Sequence, residues 1–210
     1  MNYRATWCAA VIGAMAVLAV GCSGQKAPSS PGGTTSTAPS SSPGESLPHS
    51  GAPRVSNPLP ASVIGGDPCQ SMTADQLKDA LGQIQRTKPG TNSGVGPGCT
   101  WSNLDTDANL DVSFDSGNNS GLSGWYENTK PQAVVWKELT VQGFPAVAHV
   151  TPSGGDPKDF CQISVGINDR QTVDVTIGLS DSKKGNTDPC QVTVRAADVV
   201  VANLKRNAGS

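Results

Sequence analysis

The chain has 210 residues, and 15 Lys and Arg stand against 17 Asp and Glu, which gives a formal net charge of −2. Residues 67–210 hold 12 of these basic and 16 of these acidic residues, and the basic ones are scattered. Because nucleic acids and anionic membranes attract clustered cations, this distribution excludes nucleic acid as a partner and excludes a polybasic membrane patch.

The first 21 residues have the three parts of a bacterial signal peptide: a short start with Arg4, an uncharged apolar run over residues 6–20, and small residues before Cys22. The sequence LAVGC at residues 18–22 resembles a lipobox, whose cysteine becomes the acylated N-terminus. The apolar run is shorter than the roughly 20 residues of a transmembrane helix, and a plain secretory signal is the closer alternative. We expect a lipoprotein anchored through Cys22 to the extracytoplasmic face of the cell membrane.

Residues 22–66 have the composition of a linker. They include eight prolines and many Ser, Thr and Gly residues, and their large aliphatic side chains are few: Leu47, Val55, Leu59, Val63 and Ile64. Such a segment cannot bury enough apolar surface to offset the entropy lost on ordering. We expect it to be disordered, and we expect residues 67–210 to form one globular domain.

Four cysteines belong to the predicted domain once Cys8 leaves with the signal peptide and Cys22 takes lipid. An even number in a secreted domain predicts two disulfides, with three possible pairings, among Cys69, Cys99, Cys161 and Cys190. None of them forms a CxxC pair, and histidine is nearly absent, so structural bridges are favoured over a zinc site. No metal or cofactor is expected.

The first predicted helix follows a capping box at Thr73 and Gln76. Apolar residues then recur with helical spacing at positions 77, 80, 81 and 84, and the helix should end before Lys88. A glycine-rich loop over residues 87–98 leads to the first predicted strand at residues 99–101.

Alternation of apolar with polar or small residues predicts further strands. One covers residues 110–114, and two more, 133–141 and 144–150, are separated by Gln142-Gly143. The clearest hairpin joins residues 161–167 to residues 173–179 through a turn at residues 168–170.

Asp188 and Pro189 predict the start of a second helix, as N-cap and first helical residue. Its buried stripe consists of Val192, Ala196, Val199, Val200 and Leu204, and the polar Asn203 should mark the end of the buried part. The order of elements predicts an α+β fold, with an antiparallel sheet flanked by an N-terminal and a C-terminal helix.

This order also predicts the disulfide pairing. If the last hairpin turns at residues 168–170, Cys161 lies opposite roughly Gly178, and the following loop brings Cys190 beside Cys161. Cys69 precedes the first helix, and the loop that runs back along this helix leads to Cys99. We therefore predict Cys69–Cys99 and Cys161–Cys190, and the alternative joins Cys69 to Cys190 and Cys99 to Cys161.

Several short motifs occur in a specific order. The tetrapeptide DPCQ at residues 67–70 recurs at residues 188–191, and between the two copies lie GCTW at 98–101, GFPA at 143–146 and FCQISV at 160–165. This set resembles the actinobacterial LprB-like lipoprotein family of unknown function, over essentially all of residues 67–207. The resemblance implies a cell-surface lipoprotein and implies no activity.

No catalytic residue is predicted. His149, on a predicted strand, is the one histidine after the linker, and we interpret it as a surface or hydrogen-bonded strand residue rather than a base. The acidic stretch at residues 105–111 is superficially similar to a calcium loop. Leu110 and Ser116 stand where such a loop requires Gly and Glu, so a polar turn is the better interpretation.

Trp125 and Tyr126 are the candidate contacts for a ligand or partner. They lie in a predicted loop rich in Gly and Ser, where aromatic side chains can anchor a partner or fill the end of a small core.

Three functions are compatible with these features. The first is a non-enzymatic binding module for a protein partner or an envelope component. The second is a carrier for a lipid or other apolar ligand held between sheet and helices, where the small Ala196 and Ala197 would leave room. The third, an envelope hydrolase, is disfavoured because the sequence offers no base near a nucleophile.

Overall fold

A computed structural model of the chain describes residues 46–92 and 94–209. Cys22, the predicted signal peptide and the first part of the predicted linker lie outside these residues. In the described part, no helix has the length and apolar character needed to span a membrane.

The described residues contain one antiparallel sheet of seven strands, in the order β1-β2-β3-β7-β6-β5-β4. Two meanders meet at its centre, where Val112 of β3 faces Val175 of β7. The strands are β1 (Arg86–Asn92), β2 (Gly96–Asn103), β3 (Ala108–Asp115), β4 (Val135–Val141), β5 (Phe144–Val150), β6 (Phe160–Asn168) and β7 (Gln171–Gly178).

Three α-helices cover the sheet: α1 (Ala74–Leu81), α2 (Leu122–Asn128) and α3 (Pro189–Ala208). The first and last pack with one sheet face, where the alternating apolar side chains of the central strands form the main core. The predicted α+β fold is therefore confirmed. Asp188 caps α3 as predicted, since its carboxylate accepts hydrogen bonds from the amides of Cys190 and Gln191.

Both predicted disulfides are present, Cys69–Cys99 and Cys161–Cys190. Cys161 faces Ile177 on β7, one residue from the expected position. The first bridge ties the start of the α1 region to β2, and the second ties β6 to the first turn of α3.

The predicted loop over residues 87–98 is wrong. These residues form most of β1 and the start of β2, and α1 ends at Leu81, where Gly82 adopts a φ of 80°. The strand went unseen because β1 is an exposed edge strand without apolar alternation. Pro89 is tolerated within it because one side of an edge strand forms no ladder hydrogen bonds.

The packed part of the chain begins before residue 67. Val55 is 6% exposed and Ile64 is 4% exposed, and the amide of Leu59 donates to the carbonyl of Ile167 at 2.8 Å. The amide of Val55 donates to the carboxylate of Asp169 at 2.9 Å. Residues 46–66, hereafter the N-terminal segment, thus lie against the domain, whereas their composition predicted a linker. The sequence did not reveal these contacts because a few apolar residues in a segment without regular secondary structure produce no periodic pattern.

Asn203 does not mark the end of the buried stripe, because it is itself buried. Its Nδ2 donates to the carbonyl oxygen of Ser71 at 2.7 Å and to Oε1 of Gln76 at 2.8 Å. The side chain satisfies polar groups at the start of α1, and so it joins α1 to α3. These hydrogen bonds compensate the amide for the water that it loses on burial.

Candidate functional site

Trp125 and Tyr126 lie on α2 and not in a loop. The sequence of α2 gave no helical signal because it contains Gly124 and has no side-chain cap. Tertiary packing holds it instead, since Leu122 and Tyr126 are buried against Val147 of β5, on the sheet face opposite α1 and α3.

Gly166 of β6 permits this close approach of α2 to the sheet. A Cβ atom built on Gly166 would lie 2.9 Å from Cδ1 of Leu122, which is closer than side chains pack. Any larger residue at this position would therefore displace the buried Leu122 side chain.

Tyr126 belongs to a small aromatic cluster. Its ring meets that of Trp136 edge-on at 5.1 Å, and the ammonium of Lys130 lies 4.6 Å from the Tyr126 ring. Burial, together with the nearby Glu138 carboxylate, raises the pKa of Tyr126 to about 12. Tyr126 is 4% exposed and, with Leu122 and Val147, forms a second apolar core beneath α2, while Trp125 and Trp136 remain half-buried.

His149 lies beneath these aromatic side chains. Its ring centroid is 4.7 Å from that of Trp125 and 6.1 Å from that of Trp136, and its Nε2 lies 3.0 Å from Oγ of Ser164. The residue is buried, and burial lowers the pKa of His149 to about 4. His149 is thus a buried, hydrogen-bonded strand residue that stays neutral at physiological pH.

Asp174 of β7 lies on the same face and pairs in register with Ser164 of β6 and Ser113 of β3. Its Oδ1 accepts a 3.1 Å hydrogen bond from Thr172, whose hydroxyl in turn accepts from the Trp125 indole at 3.3 Å. Among the described residues Oδ2 has no hydrogen-bond partner. Burial is the main cause that raises the pKa of Asp174 to about 7.

Sequence reasoning missed this buried polar cluster, defined by His149, Ser164, Thr172 and Asp174. Ser164 and Asp174 sit at the polar positions of strand alternations, which predict solvent-exposed side chains. The unpredicted α2 covers part of the cluster through Trp125, and Trp136 of β4 lies against His149. The available signal was the run of apolar residues on β5, in which His149 follows Val147 and Ala148 without a polar alternation.

The cluster does contain a base beside a hydroxyl, which the sequence did not indicate. The Asp174 carboxylate accepts hydrogen bonds from the hydroxyls of Thr172 and Ser164, and the imidazole of His149 contacts Ser164 rather than Asp174. Ser164 is fully buried. The cluster is joined to α2 through Thr172, whose hydroxyl accepts from the Trp125 indole.

An open groove of about 630 Å³ runs between the edge strand β4 and the N-terminal half of α3. It forms because α3 packs mainly on β6 and β7 and leaves β4 partly uncovered. Its lining combines apolar residues, among them Val135, Leu139, Ala148 and Val194, with five polar or charged ones: Lys137, Thr140, Asp188, Gln191 and Arg195.

A smaller groove of about 370 Å³ lies on the other side of α3, against α1. Ala196 lines this groove, as does Val192, whereas Ala197 is fully buried in the main core. The two small residues of the carrier hypothesis therefore have different environments, and neither lines the larger groove.

The acidic residues of the stretch 105–111 have separate partners. Asp105 accepts from Gln85, Asp107 pairs with Lys184, and Asp111 accepts from the hydroxyls of Thr100 and Ser113. In the described ranges, no three His, Cys, Asp or Glu side chains converge to hold a metal ion.

Comparison with known proteins places the chain in a family without assigning an activity. No curated protein matches it significantly. A family model described as a protein of unknown function, DUF3558, matches residues 17–203, which is most of the chain. The chain therefore belongs to the DUF3558 family of proteins of unknown function.

Proposed function

We propose that this protein is a non-enzymatic binding module of the cell envelope that holds an apolar or amphipathic envelope component in the groove between β4 and α3. The observation that carries the proposal is the groove itself. Its volume of about 630 Å³ lies in the range of small-molecule sites, and aliphatic side chains form its floor.

The proposed location is the extracytoplasmic face of the cell membrane, with a lipid anchor at Cys22. The signal-peptide pattern and the LAVGC sequence at residues 18–22 support it, as do two disulfides, which persist in oxidising compartments. Within the DUF3558 family, the order of cysteine motifs supports placing the chain among the LprB-like lipoproteins of actinobacteria.

The absence of catalysis is also part of the proposal. It is supported by the burial of Ser164 and His149, the best-placed hydroxyl and base among the described residues, beneath α2. A nucleophile must be reachable from the solvent to act on a substrate.

Native mass spectrometry tests this function directly. The oxidised chain is incubated with an extract of the host envelope, alongside variants Val194→Trp, which fills the groove, and Val192→Trp, which alters the opposite flank of α3. We expect a discrete, stoichiometric adduct of lipid-like mass that Val194→Trp abolishes and Val192→Trp retains. A bare protein mass, or an adduct that Val194→Trp leaves intact, contradicts the proposal and directs the search to a protein partner.

A further inference from the structure

The groove between β4 and α3 carries two cations that its apolar floor does not explain. Lys137 lies between Val135 and Leu139 on the helix-facing side of β4, and Arg195 lines the groove from α3. Both side chains are exposed. Across the described residues, neither forms an ion pair or hydrogen bond.

Negative charge in the groove is limited to Asp188, the one carboxylate that lines it. That carboxylate is turned to the start of α3, where its Oδ1 accepts hydrogen bonds from the amides of Cys190 and Gln191 at 2.9 and 3.4 Å. The Asp188 carboxylate is thus engaged in capping α3, where the helix dipole also stabilises its negative charge. The two cations therefore form no ion pair with a carboxylate of this groove, in a domain that is otherwise acidic, and Arg195 also borders the smaller groove, which Asp79 lines as well.

We infer that the groove binds a single-chain amphiphile with an anionic head group, a carboxylate or a phosphate. This inference rests on the function proposed above and names its ligand class. The tail would contact Val135, Ala148 and Val194, and the head group would lie between the ammonium of Lys137 and the guanidinium of Arg195.

The physical basis is the combination of apolar surface with charge at its rim. Lys and Arg lay their methylene stems on apolar surface while their charged ends stay at the water boundary. An ion pair formed beside apolar groups is less screened than one in water. An inward-pointing Lys on an edge strand has one other known use, which is to oppose edge-to-edge association of sheets.

Calorimetric titration separates these possibilities. The chain with Cys22→Ser, which cannot be lipidated, is titrated with decanoate, decyl phosphate, decanol and decyltrimethylammonium. We expect both anions to bind at least about tenfold more tightly than decanol, and the cation to bind most weakly. Comparison of decanoate with decyl phosphate identifies the preferred head group.

Charge-removing variants assign the effect to its residues. Lys137→Gln and Arg195→Gln should each weaken binding of the anions about threefold to tenfold and leave decanol binding unchanged. Lys88→Gln, on the opposite edge strand β1, is the matched control and should change nothing.

Three results would overturn the anionic ligand or the groove as a binding site. Equal affinities for decanoate and decanol, both lost in Val194→Trp and kept in Val192→Trp, would overturn the anionic head group and leave the groove as the binding site. Self-association of Lys137→Gln with unchanged affinity for decanoate would likewise overturn it and assign Lys137 to edge protection. Failure of every probe to bind would overturn the proposed function as well.

Discussion

Nε2 of His149 lies 3.0 Å from Oγ of Ser164, and both side chains are buried, the imidazole with its centroid 4.7 Å from that of the Trp125 ring. The pair connects β5 to β6 on the sheet face that α2 covers. A neutral imidazole suits this position because burial disfavours the charged form, and among the described residues burial is the one cause that acts on the pKa of His149.

The first prediction concerns the protonation of His149. Burial lowers its pKa from 6.5 to about 4, so the unfolded chain takes up a proton at this site before the folded chain does. The free energy of unfolding should therefore decrease as the pH falls from about 6.5 to 4, by roughly 2–3 kcal/mol. An NMR titration of the imidazole measures the pKa directly. A midpoint near 6.5 for His149 would contradict the buried placement, and His149→Gln should remove its share of the pH slope.

Asp174 should produce the opposite dependence. Burial raises its pKa from 3.8 to about 7, so between these values the folded chain keeps a proton that the unfolded chain has lost. This contribution to stability is complete below about pH 4 and is lost as the pH rises to about 7, by roughly 2–4 kcal/mol.

The variant Asp174→Asn tests this dependence, because an amide is neutral at every pH. Urea unfolding of the oxidised chain from pH 4 to 9 should show a smaller loss of stability with rising pH in the variant than in the parent. Asp79→Asn, which changes an exposed carboxylate on α1, is the control and should retain the parent slope. Identical slopes in the parent and Asp174→Asn would refute the prediction.

The two disulfides should contribute similarly to stability and differently to binding. Their loops have similar lengths, with sequence separations of 30 and 29 residues, so removal of either should cost about 3–4 kcal/mol. Of the four disulfide cysteines, Cys190 alone lines the groove between β4 and α3. Cys161→Ala/Cys190→Ala should therefore weaken decanoate binding at a temperature where both variants remain folded, while Cys69→Ala/Cys99→Ala should not. Equal losses of affinity would place the ligand elsewhere.

The main features that the sequence predicts are those with a periodic or covalent signature. The hairpin from β6 to β7, the helix start at Asp188 and both cysteine pairs follow from apolar alternation, capping residues and the order of elements. The strand and helix signals are local, and the cysteine pairs follow from the order of these elements along the chain.

The missed features depend on contacts made across the fold. Nothing local marks α2 as a helix, since its stability comes from burial of Leu122 and Tyr126 on the sheet. The groove is equally invisible in the sequence. It exists because α3 packs on β6 and β7 and leaves the edge strand uncovered, and only then do Lys137 and Arg195 line the same space.

The N-terminal segment offers the last prediction, because its contacts make residues before 67 part of the folded unit. Val55 is 6% exposed and packs near Gly166, so Val55→Ala should lower the free energy of unfolding by about 1–3 kcal/mol. Val134 is 56% exposed on the surface, and Val134→Ala should change the stability by less than about 0.5 kcal/mol. Urea midpoints of the two variants decide the matter. If Val55→Ala is as mild as Val134→Ala, the segment contributes no stability and the domain begins at residue 67; a distinct loss shows that any fragment used for binding studies must begin before Val55.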